Sequence, residues 1–186
     1  MITKLSLLIN QISNTRFFLG SFLVTTFLMV VVFPWLRSSA PGVEEELAML
    51  DLRFKYSPEE AYLAIDSFGE SGRKVYIISS LTADSLFPVS YSLLFSISLT
   101  LLYQRAFPTE NLIQRFHLFP FGILVFDFLE NFSVVIMMLA YPLRLSWLAR
   151  LASIFTMSKW SALASTIVLV LVGLVGLMVV KNRKAP

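Results

Sequence analysis

The chain has 186 residues, 56% of them hydrophobic, with a mean hydropathy of +0.75 and a formal charge of +3. A soluble domain is nearer ~45–50% apolar, so a water-soluble globule is excluded in favour of a membrane protein, with room for about four spans at roughly 20 residues each. The absence of cysteine and the presence of one histidine remove disulfides, thiol redox chemistry and both thiolate and multi-histidine metal sites, while basic residues scattered without aromatic interleaving argue against nucleic acid as a partner.

The first 16 residues are mildly amphipathic and suit the membrane interface or the start of the first helix. The first span reads from Phe17 to Leu36. Its apolar run is longer than the ~7–15 residues of a signal-peptide core, and Pro41 would follow a cut after Ser38-Ser39-Ala40, so an uncleaved anchor is expected. The loop over 37–75 is polar and acidic, with Glu44, Glu45, Glu46, Asp51, Glu59, Glu60, Asp66 and Glu70 against five basic residues. The triplet Glu44–Glu46 reads as a solvated face. Within the loop, Ser57-Pro58-Glu59-Glu60 is a helix start: Ser57 as cap, Pro58 in the first turn and Glu60 closing a capping box. Ala61, Ile65 and Phe68 then share a face, and Gly69 is a stop. A short amphipathic helix is therefore expected on the membrane or on the bundle top.

The second span falls at about 76–104 and contains Asp84 and Pro88. The proline can kink the helix because it removes a backbone donor, and nearby serines can take up freed carbonyls. A short connection leads to the third span at 118–141, closed by Pro142. From Leu143 to Thr156, Arg144, Trp147 and Arg150 alternate with apolar positions, which predicts an interfacial helix. The fourth span reads 160–180, with Ala162, Thr166, Gly173 and Gly176 on a small-residue face for close packing. The fold class predicted is an all-α polytopic membrane protein, four transmembrane helices in a bundle, in one domain over 1–186.

Asp127, Glu130 and Asn131 stand at i, i+3 and i+4 inside the third span, so they share one face. Carboxyl groups at membrane depth are costly and ask for a partner or a task. The second and third spans are joined closely enough to be antiparallel neighbours, which sets Asp84 and Tyr91 opposite the cluster as candidates. Two like charges in low dielectric resist ionising together, and an acid that keeps its proton can donate to a ligand or act as a general acid. The alternative is a polar network that fixes helix register, at ~0.6–2 kcal/mol per bond. Tyr56, Tyr62, Tyr76, Trp35, Trp147 and Trp160 suit an interfacial aromatic belt. His117 reads as a hydrated interfacial residue, and Arg73 as the partner of Asp66 or Glu70. No catalytic residue, metal ligand or cofactor site is assigned, and no cofactor is expected.

The stretches LDLRFKYSPEEAY, GESGRKVY, DSLFPVSY and FDFLEN, covering about Leu50 to Pro142, resemble an uncharacterised family of small bacterial four-helix membrane proteins. That resemblance implies a class and no activity. The architecture alone, with a polar first loop, acids in the bundle and a basic tail, is similar to the EXPERA group of sterol isomerases and sterol-binding proteins. No motif of that group is matched residue by residue, so the likeness is one of fold.

The expected function is binding of a lipid or small hydrophobic ligand at Asp127, Glu130 and Asn131, with Asp84 and Tyr91 facing them. The alternatives are a structural or accessory subunit of a larger membrane complex, and proton or ion passage. Expected partners are membrane lipids and a protein partner or second copy. Four spans put both termini on one side, where Lys4, Arg16, Arg105, Arg115 and the tail make seven basic residues. The other side has eight, five of them in the long loop, whose charges count less. A bacterial cytoplasmic membrane with both termini in the cytoplasm is expected.

Overall fold

The computed structural model describes residues 2–38, 50–108 and 112–184. The Glu44–Glu46 triplet lies outside the described residues. What is described is helical, without a strand: α1 (Ile2–Ile12), α2 (Thr15–Phe27), α3 (Phe33–Ser38), α4 (Pro58–Ser67), α5 (Gly69–Leu81), α6 (Ala83–Ala106), α7 (Pro120–Ala140) and α8 (Ser146–Lys184). Four helical stretches are long and apolar enough to cross a membrane: Thr15–Leu36, Gly69–Ala106, Leu112–Ala140 and Ser146–Arg183. The chain is an all-α polytopic bundle.

The first span opens on Asn14, whose side chain accepts the backbone N–H of Arg16 at 3.0 Å and of Phe17 at 3.2 Å. These are two of the donors a helix start leaves unpaired. Between α2 and α3 the helix widens into a π turn at Leu28–Val32. Pro34 explains the widening: it has no N–H to give, and its ring would press on the carbonyl one turn back.

The second span is two helices broken at Thr82 (φ −118°, ψ −90°), not one helix kinked at Pro88. Pro88 is buried inside α6 and the helix runs through it. Side-chain hydroxyls stabilise the break. Thr82 Oγ1 donates to the carbonyls of Ile78 at 2.7 Å and Ser79 at 3.3 Å, and Ser85 Oγ donates to that of Ser80 at 2.7 Å. These hydroxyls supply the bonds that an interrupted helix loses in apolar surroundings.

The predicted interfacial helix over Leu143–Thr156 is not a separate element. It is the beginning of α8, which runs 39 residues from Ser146 to Lys184 without a break. The sequence holds no proline in that stretch and no glycine before Gly173, so nothing ends the helix between Thr156 and Trp160. At about 1.5 Å per residue the helix is roughly 58 Å long, nearly twice the ~30 Å hydrocarbon core. Its distal half packs on α6 through the small-residue face. A β-carbon at Gly173 would stand 3.0 Å from the Tyr103 ring, and one at Gly176 would stand 2.8 Å from that of Phe107. Tyr103 Oη also donates to the Leu169 carbonyl at 3.0 Å.

The short helix α4 forms as its sequence dictates. Both capping-box bonds are made, Ser57 N–H to Glu60 Oε2 at 2.7 Å and Glu60 N–H to Ser57 Oγ at 3.2 Å. Gly69, at φ +60°, provides the corner into α5. The buried face of α4, with Ala61, Tyr62, Ala64 and Ile65, meets Val134, Met137 and Met138 of α7 and Leu148, Ala149 and Ala152 of α8. The loop helix is thus a lid on one end of the α7–α8 pair. This packing corrects the belt assignment for Tyr56 and Tyr62, which are core residues. The Tyr62 hydroxyl accepts the Leu145 N–H, and the Tyr56 N–H donates to Ser153 Oγ at 3.0 Å. Trp35 and Trp147 are exposed on apolar surface.

Candidate functional site

α7 is the central helix, with α6 and α8 packed on it. Its polar residues stand near its middle, where Asp127, Glu130 and Asn131 are all buried. Tyr91 of α6 donates its hydroxyl to Asp127 Oδ2 at 2.6 Å, and Asn131 Nδ2 donates to Asp127 Oδ1 at 3.2 Å. Asp127 is therefore held from the neighbouring helix and from one turn along its own. The Tyr91 ring is seated edge-on against Phe87, whose ring is in turn edge-on to Phe33 of α3, each pair at 5.1 Å.

Glu130, with 0% exposure, reaches a residue of α8. Lys159 Nζ lies 2.7 Å from its Oε2, with 10% of the lysine side chain accessible. The two acids on one helix face thus serve two different neighbours. Asp127 takes a phenol and an amide, and Glu130 takes an ammonium. A buried ion pair is a weak source of net stability, but removing one partner is expensive because the other is left charged in low dielectric.

Of the five residues singled out by sequence, the structure brings together Tyr91, Asp127, Glu130 and Asn131. Asp84 is placed elsewhere. It sits at the start of α6, where it accepts from Ser79 Oγ at 3.2 Å and Ser80 Oγ at 3.4 Å. That is two helical turns, about 10 Å, from Tyr91 along the axis. The break at Thr82 brings the two serines to it, so Asp84 serves the corner and is not part of the cluster.

Sequence reasoning missed Lys159. The fourth span read from the sequence begins one residue later, at Trp160, and leaves the lysine at the membrane surface. Two signals were available. No helix breaker separates Lys159 from the apolar run on either side, and acids in the middle of a span ask for a cation.

Two other residues differ from their sequence reading. His117 is buried, with Nε2 3.0 Å from Ser6 Oγ of α1 and Nδ1 against the Gln114 carbonyl. Its own carbonyl accepts from Ser96 Oγ at 2.6 Å, so it ties α1 and the turn before α7 to α6. Arg73 pairs with neither Asp66 nor Glu70. Its guanidinium lies 4.0 Å from the centre of the Tyr141 ring, while Asp66 takes Arg144 at 3.0 Å and Glu70 takes Lys74 at 2.7 Å.

Among the described residues, two open apolar grooves lie at other places. One of about 380 Å³ lies where Phe107 meets α8 at Val168, Val172 and Gly176. The other, of about 550 Å³, lies between α2 and α6. Neither is lined by Asp127, Glu130, Asn131 or Lys159. Among the described residues no three His, Asp or Glu side chains gather as a metal site.

Comparison with protein-family models, with curated proteins and with solved structures returns no match to this chain. Function has to be argued from the geometry of the cluster.

Proposed function

We propose that the protein is a structural or accessory subunit of a larger assembly in the bacterial cytoplasmic membrane, in which the intramembrane acids hold three helices in register. One observation carries this reading: each acid of the cluster is engaged by a side chain of a different neighbouring helix, Asp127 by Tyr91 and Glu130 by Lys159. Polar groups used in this way specify which helix faces meet and at what height, because an alternative register would leave a charge in apolar surroundings. A ligand at the same place would have to displace a 2.6 Å or a 2.7 Å contact.

The accessory role draws support from what the bundle leaves uncovered. The hydrophobic window of the first span is 6% buried and that of the last is 11% buried, against 39% and 50% for the two central spans. Two apolar helices are therefore available to lipid and to partner helices. Both termini are proposed to lie in the cytoplasm. With Lys159 withdrawn into the bundle, the loop side keeps seven basic residues, five of them in the long loop, against seven on the side of the termini.

The test is isolation of the tagged protein from its native membrane at native level in a mild detergent. Co-purification of a second membrane protein at fixed stoichiometry is expected. A homogeneous particle containing one 21.1 kDa chain would overturn the accessory role.

A further inference from the structure

The groove between α2 and α6 has a direction. Its α2 wall runs from Arg16 through Gly20 and Val24 to Leu28, and its α6 wall includes Leu86 and Leu93. Arg16 stands in the first turn of the first span, one residue after the start of the apolar stretch at Thr15, and is exposed. Leu28 is buried and closes the other end at the π turn. At about 1.5 Å per residue the two are roughly 18 Å apart, little more than half of the ~30 Å hydrocarbon core. The groove thus covers one leaflet, is apolar along its length and carries a cation at its polar end.

That pattern suits an amphiphile with one extended chain and one anionic head. Gly20 contributes to the fit. A β-carbon there would meet nothing within 4 Å, so the glycine is not demanded by helix packing and its effect is to keep the groove open. Deeper in, the hydroxyls that border the groove are satisfied within the protein. Thr25 Oγ1 donates to Ser90 Oγ at 3.1 Å, and Ser90 Oγ donates to the Phe87 carbonyl at 2.8 Å, which leaves methylene surface for the chain.

We infer that this groove is a binding site for an anionic phospholipid of the leaflet on the side of the termini, one acyl chain lying against Gly20 and its phosphate paired with Arg16. The site is distinct from the acidic cluster.

The full-length protein, purified and equilibrated with equal amounts of phosphatidylglycerol and phosphatidylcholine in detergent, is examined by native mass spectrometry. One retained phosphatidylglycerol is expected on the wild type. Gly20→Leu fills open space and is expected to remove that lipid while leaving the helical circular dichroism and its melting unchanged. Arg16→Gln is expected to lower the preference for phosphatidylglycerol about fivefold, the value of one basic residue at an anionic surface. Arg183→Gln in the tail is expected to change nothing. Retention of the lipid by Gly20→Leu overturns the site. An equal loss of preference in Arg16→Gln and Arg183→Gln overturns the role of Arg16 and reduces the preference to general basic charge. A two-chain mass that Gly20→Leu disrupts assigns the groove to a second copy and overturns the lipid.

Discussion

Lys159 and Glu130 illustrate what a membrane interior does to single residues. Each alone is a charge in hydrocarbon, and together they form a contact of 2.7 Å between α7 and α8. Lys159→Met should therefore cost ~3–5 kcal/mol, because it strands Glu130. Glu130→Met should cost a similar amount by stranding Lys159. The double variant, with two apolar side chains of comparable volume, should recover most of that loss. Unfolding of the three variants by detergent titration measures this. A double variant as unstable as either single one contradicts a register role for the pair. A stable double variant that no longer co-purifies with a partner assigns the pair a task beyond register. Tyr91 was legible as a partner for the third span because a hairpin argument needs only neighbouring elements. Lys159 was not, because its partner lies 29 residues upstream and the lysine stands at the edge of the apolar run, where a charge reads as a span end. Asp84 was misplaced for the converse reason: its donors, Ser79 and Ser80, are local and come together only because the helix breaks at Thr82.

At the level of elements, the features legible in the sequence are those with local causes. The apolar runs, the Ser57–Glu60 box and the glycine corner at Gly69 follow from composition and turn chemistry within a few residues. The boundaries that failed depend on context: where a serine-rich helix breaks, and whether a helix stops at a lysine. The loop helix α4 provides a pH test. The Ser57 backbone N–H, followed by the Ser57 hydroxyl interaction and the nearby Arg53, holds the Glu60 carboxyl below its ordinary value of 4.5, while desolvation opposes the shift. A carboxyl whose folded value is depressed adds stability that is fully present above its unfolded value and is lost as the pH falls through the folded one. The lid should therefore loosen as the pH drops below 4.5. Hydrogen exchange of the α4 amides is expected to speed up there in the wild type and to be insensitive to that drop in Glu60→Gln. Ser57→Ala should cost about 1 kcal/mol of lid stability. Unchanged exchange in the wild type across that range would sink the assignment.

On the scale of the whole molecule, topology can be tested cleanly because the chain has no cysteine. Single substitutions therefore carry the only thiol present. Ser67→Cys, at the end of α4, should be modified by an impermeant maleimide added to intact cells, and Lys181→Cys near the end of α8 should react only after the membrane is opened. The reverse pattern would invert the proposed orientation and with it the leaflet that supplies the groove.

The unbroken length of α8 has a mechanical consequence. The helix is held near its start by the lid, through Leu148, Ala149 and Ala152. It is pinned further along by the Lys159–Glu130 contact and gripped toward its end where Gly173 and Gly176 meet Tyr103 and Phe107. A stiff rod fastened at three heights cannot tilt at one of them without straining the other two, so a disturbance at the lid is felt as strain at Lys159–Glu130, about 16 Å away, and at Gly176, about 26 Å beyond that.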